Sequence, residues 1–339
     1  MNHSHLSRII FLFIAFQLTG LVSVHADNDK YKLVVFGDSL VDIGNSLSLS
    51  YLQTNLDGSV ESRLVIPPTT RYDRGHYSNG PVVSDYLARK FKVDLKLSSQ
   101  GADLDTDSVC YGYGGSETGI SNSNEAPDPR FLRVPGLRAQ VDQYIYDVEE
   151  QGVTLDGAVF FMNSGSNDYH ANLVFGKIPP PSMVVDNIIQ AATALTDNGA
   201  ELVVVANVPD LGQTPFCNMA GLCDVLGQLA LVHNQLLAQG IAELNSMTDS
   251  KVIVFDTYSL FREILADPIS FDLPDDIGAG AAGGCIFQPP FAFQLSNCAS
   301  VPFKSTSLFW DEMHPVTEIH KIFAKEVWKQ SIKNNLPED

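Results

Sequence analysis

Basic side chains are scarce in this 339-residue chain: 21 Lys and Arg stand against 40 Asp and Glu, a formal charge of −19. Such a chain repels nucleic acid, so no nucleic-acid partner is expected, and its overall field does not draw it to anionic lipid. The acidic residues are spread along the chain, as on a solvated surface. Long apolar runs are missing after the first two dozen residues, so no later segment is expected to span a bilayer. No H-E-x-x-H occurs, and neither close pair of cysteines has a second pair or a histidine at finger spacing. No metal and no other cofactor is therefore expected. "GYGGSETG" has Glu117 where a dinucleotide-binding loop needs its third glycine. Asp103, Asp105 and Asp107 open like a calcium loop, but Ser108 takes the place of the required glycine and Gly114 that of the closing glutamate. That stretch reads as a solvated acidic loop.

What is present begins with the first 26 residues. Arg8 precedes the apolar run "IIFLFIAFQLTGLV", and "VHA" ends at Ala26 with small residues at the cleavage positions. The pattern predicts a secretory signal removed near Ala26, with a retained anchor as the alternative. The expected location is therefore outside the cell or in a periplasm, and the balance without Arg8 is −20. Residues 27–339 are read as one domain, with 45% apolar residues across the whole chain to supply a core. Secretion permits disulfides, and local pairing is economical: Cys217 with Cys223, and Cys285 with Cys298. Cys110 is left over as a buried free thiol.

Short, nearly continuous apolar runs at Leu33–Phe36, Gly157–Met162, Leu202–Ala206 and Val252–Phe255 read as strands buried on both faces. A fifth strand is expected near Lys92–Leu97 or just before Tyr111. Helical patterns alternate with them: "PVVSDYLARKF", "PGLRAQVDQYIYDVEEQG", "PSMVVDNIIQAATALTDNG", "DVLGQLALVHNQLLAQGIAELNSM" and "TEIHKIFAKEVWKQSIKNN". The first begins with Pro81 and the second and third stop at Gly152 and Gly199. The alternation predicts a three-layer α/β/α sandwich with a mainly parallel sheet of about five strands. Residues 47–75, 98–130 and 267–307 read as long loops. In such sheets ligands sit beyond the carboxyl ends of the strands, where Ser39, Ser166, Asn167 and Asp168 fall.

A serine becomes a nucleophile when a base takes its proton and a third group orients the base. "FWDEMHPVT" places Asp311 three residues before His314, close enough for a carboxylate to reach one ring nitrogen while the other faces a substrate. His233 and His320 lie inside helical patterns and read as packing or surface residues. Ser39 is not in a G-x-S-x-G elbow, because Val41 stands where the second glycine would be.

Four blocks, in order, resemble those of the GDSL or SGNH hydrolases, a family of esterases and lipases: "FGDSLVDIGNS", "YGYGGS", "NSGSNDY" and "FWDEMHPV". "RYDRGHYSNGPVVSDYLA", between the first two, is similar to a stretch of the lipase-like branch. The resemblance covers residues 32–325 and implies a flavodoxin-like fold. It implies Ser39 as nucleophile, His314 as base and Asp311 as the group that orients it. It implies an oxyanion hole from the backbone N–H groups of Ser39 and Gly115 and the side-chain amide of Asn167. The second block departs from the pattern, with Cys110 where an asparagine usually opens it, which leaves Gly114 as the alternative to Gly115. The implied activity is carboxylic-ester hydrolysis through an acyl-enzyme, or acyl transfer if an alcohol replaces water. The expected substrate is a lipid, of the kind taken by lysophospholipases or phospholipases A. The branch of bacterial lysophospholipases and glycerophospholipid:cholesterol acyltransferases has similar features. The alternatives are a polysaccharide or short-chain acetylesterase and a non-catalytic lipid- or carbohydrate-binding protein. "IFQPPFAFQLSN", between Cys285 and Cys298, carries five large apolar residues and no charge. It is either core or an apolar flap that would meet acyl chains or a membrane surface.

Overall fold

The computed structural model describes residues 31–56, 67, 69, 72–122, 132–175, 178–274 and 307–337. The signal segment, the Cys285–Cys298 pairing and the apolar stretch between those cysteines lie outside the described residues.

In chain order the elements are β1 (Lys32–Gly37), α1 (Asn45–Leu56), α2 (Val83–Phe91), β2 (Leu95–Leu97), β3 (Ser108–Cys110), α3 (Leu137–Gln151), β4 (Ala158–Asn163), α4 (Ser166–Phe175), α5 (Pro181–Asp197), β5 (Leu202–Ala206), α6 (Pro215–Ala220), α7 (Cys223–Asn245), β6 (Lys251–Phe255), α8 (Thr257–Ala266) and α9 (Thr317–Val327). The strands form one sheet in the order β2-β3-β1-β4-β5-β6. Every pairing is parallel. The sheet thus has six strands rather than about five, because both positions considered for the fifth are strands. Each is only three residues long, and Lys96 and Ser108 break the apolar run that marks the other four.

Alternate residues of each strand feed two cores. Leu33, Val35, Val159, Phe161, Leu202 and Val204 pack with α2, α8 and α9. Val34, Phe36, Phe160, Met162, Val203 and Val205 pack with α3, α5 and α7. A sheet covered on both faces needs apolar side chains in both directions, which is why its long strands read as unbroken runs. Among the described residues no helix is long and apolar enough to cross a membrane.

Local chemistry sets the helix ends. Pro181 and Pro215 occupy first turns, where a missing N–H costs nothing. Asp85 accepts from the backbone N–H of Val82 at 2.9 Å and so closes the start of α2. Gly152 takes the left-handed conformation that ends α3. Four helices were not expected. α1 falls in a stretch read as loop and has no amphipathic stripe. α4 opens on "SNDY", which resembles a turn. α6 is a single short segment, and α8 follows β6 directly.

After β1 the chain runs outward to β2 and β3, then crosses to β4 on the other side of β1. The two segments leaving β1 and β4 therefore diverge from one crevice at the carboxyl end of the sheet, the place where such sheets hold ligands.

Candidate active site

The crevice is built first from β1 and β4. Gly37 pairs with Asn163 at the last rung, and the Asp38 N–H donates to the Asn163 carbonyl at 3.1 Å. A Cβ at Gly37 would lie 1.9 Å from that carbonyl oxygen, and its φ is +142°, so only glycine allows this approach. Beyond it the chain turns. The Asp38 carbonyl accepts from Val41 and Asp42, and its carboxylate accepts from the Leu40 N–H and the Asn163 side-chain amide, both at 3.0 Å. Ser39 stands at the head of this turn, 6% exposed.

The Asp-His loop returns from the far end of the chain. Trp310 and Val316 donate to the His314 and Leu308 carbonyls, which pins residues 308–316 into a narrow loop. Asp311 Oδ1 accepts from the backbone N–H groups of Met313 and His314, at 2.8 and 2.7 Å. Its Oδ2 lies 2.7 Å from His314 Nδ1, and His314 Nε2 lies 2.7 Å from Ser39 Oγ. The structure thus joins Ser39, His314 and Asp311 in one hydrogen-bonded chain, although 275 positions separate Ser39 from His314 along the sequence. With Nδ1–H donated to the carboxylate, Nε2 is left as the acceptor for the serine proton.

The electrostatics follow from burial. Burial opposes a charge on His314, but the Asp311 carboxylate outweighs it, with Glu312 and Asp38 adding to the effect, so the imidazole is more basic than usual. Burial likewise opposes the Asp311 charge. The His314 charge and hydrogen bond, with the Tyr72 hydroxyl and the Met313 N–H, overcome it and hold the carboxyl below its ordinary value. Burial pushes Asp38 up to about 6. A second imidazole, His170 on α4, also lines the cavity, but burial and the nearby His314 push it down to about 4, which keeps it neutral.

Opposite Ser39, two segments are laced together. Asn167, the second residue of α4, donates from Nδ2 to the Ser116 carbonyl at 2.9 Å. Asp168 accepts from the Thr118 hydroxyl at 2.7 Å and from its N–H. These contacts hold the Gly114–Thr118 loop against the start of α4. Within that loop the Gly114 N–H is spent on Asp42 Oδ2 and Ser46 Oγ, at 2.9 and 2.7 Å. The N–H groups of Ser39 and Gly115 have no such bond within the protein among the described residues. Gly115 has a φ of +81° and a clear space where a side chain would begin. The geometry therefore favours Gly115 over Gly114 as the free donor. The second hydrogen of the Asn167 amide is likewise not used by the Ser116 bond.

Reasoning from the sequence missed four residues that hold this site. Asp42 gathers the N–H groups of Gly44, Asn45, Ser46 and Gly114. Gln140 clasps Gly37 through both its N–H and its carbonyl, at 2.8 and 2.9 Å, and also donates to Ser116 Oγ. Tyr72 donates to Asp311 Oδ2 at 2.7 Å. Asp168 was noted only for its position. Gln140 had left a signal: it lies on the buried stripe of Leu137, Val141, Tyr144 and Val148, where a polar residue must have partners.

Between these groups lies a cavity of about 50 Å³. Ser39, Asn167, His170 and His314 form its polar side, and Leu40, Leu211, Phe261, Phe309 and Phe323 its apolar side. Beside it the Cys217–Cys223 disulfide links α6 to the first residue of α7. Cys110 is a free, buried thiol whose S–H faces the Val41 carbonyl at 3.3 Å. Among the described residues no group of His, Cys, Asp and Glu is arranged to hold a metal ion. In the acidic stretch, Asp107 pairs with Lys96 at 2.6 Å and accepts from the Asp103 N–H.

The chain is similar to several known proteins. The family model described as GDSL-like Lipase/Acylhydrolase matches residues 33–327. A phosphatidylcholine-sterol acyltransferase of Aeromonas hydrophila is 25% identical over 87% of this chain and 88% of its own. A GDSL esterase/lipase of Arabidopsis thaliana is 27% identical over 87% of this chain and 81% of its own. Among solved structures, a lipolytic G-D-S-L family protein of Veillonella parvula aligns at 14% identity with a TM-score of 0.44, covering 88% of this chain and 97% of its own.

Proposed function

The chain belongs to the GDSL-like lipase/acylhydrolase family, and from that premise we propose that it is a serine carboxylic-ester hydrolase with Ser39, His314 and Asp311 as its catalytic residues. The observation that carries this reading is the unbroken run of 2.7 Å contacts from Ser39 Oγ through His314 to Asp311. His314 Nε2 takes the serine proton as Oγ bonds to the ester carbonyl carbon. Asp311 holds the Nδ1–H tautomer and stabilises the imidazolium. The carbonyl oxygen gains the negative charge and is met by the N–H groups of Ser39 and Gly115 and the free amide hydrogen of Asn167. The C–O bond to the alcohol then breaks as His314 returns the proton to the leaving oxygen. Water, activated by the same imidazole, releases the acid from Ser39. An acceptor alcohol in place of water would give acyl transfer.

For substrate, the proposal is a lipid ester of lysophospholipase or phospholipase A type, met by secretion of the chain after cleavage near Ala26. The apolar wall of the cavity supports an acyl chain there, as does the uncharged sequence between Cys285 and Cys298. That stretch is the proposed point of contact with a membrane surface. A second reading, a short-chain or acetyl esterase, is favoured by the cavity's size. About 50 Å³ accommodates roughly three to five water-sized groups, at about 10–15 Å³ each.

A series of p-nitrophenyl esters from acetate to long chains tests both. Hydrolysis should be abolished in Ser39→Ala, with a serine-directed phosphonate labelling Ser39 in the wild type. Activity confined to acetate would select the second reading. Labelling at Ser166, or no turnover of any ester, would refute the mechanism.

A further inference from the structure

We propose that Tyr72 is a positioning residue for this chemistry, a fourth member of the relay that holds Asp311 and sets the basicity of His314 from behind. The proposal rests on the Ser39–His314–Asp311 reading above. Tyr72 is 2% exposed, and its hydroxyl donates to Asp311 Oδ2 at 2.7 Å, the same oxygen that receives His314 Nδ1–H. Burial and the neighbouring carboxylates push the phenol well above its ordinary range, so it remains a donor throughout the working pH range. With the two backbone donors on Oδ1, Asp311 receives four hydrogen bonds from the described residues. Tyr72 therefore competes with the imidazole for one oxygen and draws charge away from it.

The segment that delivers Tyr72 is fastened on both sides. Asp73 donates to the Ser78 carbonyl and His76 to the Asp73 carbonyl. The His76 ring lies between Asp73 and Asp85, at 3.4 and 3.2 Å. The Tyr77 ring packs on both Tyr72 and His314, with centroids 6.2 and 5.1 Å apart. Ser78 Oγ donates to the Pro315 carbonyl, and Asn79 accepts from the Thr317 N–H. This segment thus grips the Asp-His loop from residue 311 to residue 317, while Tyr72 lines no part of the substrate cavity. Other titratable groups facing the pair are Glu312 on the same loop, Asp38 after β1, Tyr77, His170 on α4 and His320 on α9. All of these remain in place when only the Tyr72 hydroxyl is changed.

The test is the pH profile of Tyr72→Phe, which keeps the ring and removes the donor. Asp311 then gives its charge more fully to His314, so the acid limb of kcat/KM should move up by roughly half to one pH unit, and kcat should fall about tenfold with KM unchanged. The Nδ1 proton of His314 should move downfield in the NMR spectrum. Replacing Tyr72 by 3-fluorotyrosine, a stronger donor of nearly the same shape, should shift the limb the other way. An unchanged limb and kcat in Tyr72→Phe, or a shift in the same direction in both variants, would overturn the proposal. Retained hydrolysis in Ser39→Ala would instead reject the serine mechanism on which it rests.

Discussion

At the scale of single residues, Asn167 divides its amide between two tasks. One hydrogen is given to the Ser116 carbonyl, which fixes the side chain, and the proposed mechanism assigns the other to the developing oxyanion. Asn167→Ala should therefore lower kcat by about 10²–10³ with a smaller effect on KM, as expected for a donor used mainly in the transition state. Equal losses in kcat for Asn167→Ala and for a variant at exposed Met183 would place the residue outside the reaction. In the proposed mechanism His314 sets the pH dependence. Hydrolysis needs its neutral form, and its imidazole is raised above the ordinary value of 6.5. Activity should fall as pH drops through a midpoint above 6.5, measured on kcat/KM for a soluble ester. A midpoint below 6.5 would mean that Asp311 does not outweigh burial.

At the scale of elements, the segment leading into α6 sits against the cavity wall through Leu211 and Thr214, and Phe216 at the start of α6 donates to the Glu312 carbonyl next to Asp311. The Cys217–Cys223 bridge closes a short loop there, for which chain entropy gives about 2 kcal/mol. Replacing both cysteines by serine should lower the free energy of unfolding by about that amount in urea titration. No change in stability would show that the turn is held by packing alone. Elements of this kind also mark where the sequence was legible. β1, β4 and β5 are buried on both faces and write unbroken apolar runs, as does the partly buried edge strand β6, whereas β2 and β3 are too short for a period. α2, α3, α5, α7 and α9 announce themselves by periodicity, and the first three also by Pro or Gly at their ends. α1 does not, since "NSLSLSYLQTNL" alternates polar and apolar residues without a helical stripe. Ser39, Asp311 and His314 were legible through the four blocks that resemble the GDSL hydrolases, since the D-x-x-H spacing alone is a weak signal. Tyr72 was not, because its meaning lies in a contact 239 positions away.

At the scale of the whole molecule, acid stability is a contest between buried groups. His170, His233 and His320 are pushed by burial to about 4, 4 and 3. The unfolded chain takes up these protons first, so their contribution to stability is complete above about pH 6.5 and is lost as pH falls toward those values. Asp38 and Asp168 are raised to about 6 and 7, so the folded state takes up their protons first and gains stability as pH falls from about 7 toward 4. His320→Gln should remove as much as about 1.4 kcal/mol per pH unit of the loss of stability between pH 6 and 4. Urea unfolding at several pH values reads this slope directly, and an unchanged slope would mean that His320 does not titrate with folding. The six strands end at Phe255, yet the residues assigned as base and orienter arrive only with Asp311 and His314. On the ribosome, at about 5–20 residues per second, the sheet's last strand is made roughly 3–12 seconds before the base. A chain interrupted in that interval would carry Ser39, Gly115 and Asn167 without His314, the base of the proposed mechanism, and on that mechanism a half-made copy would be idle.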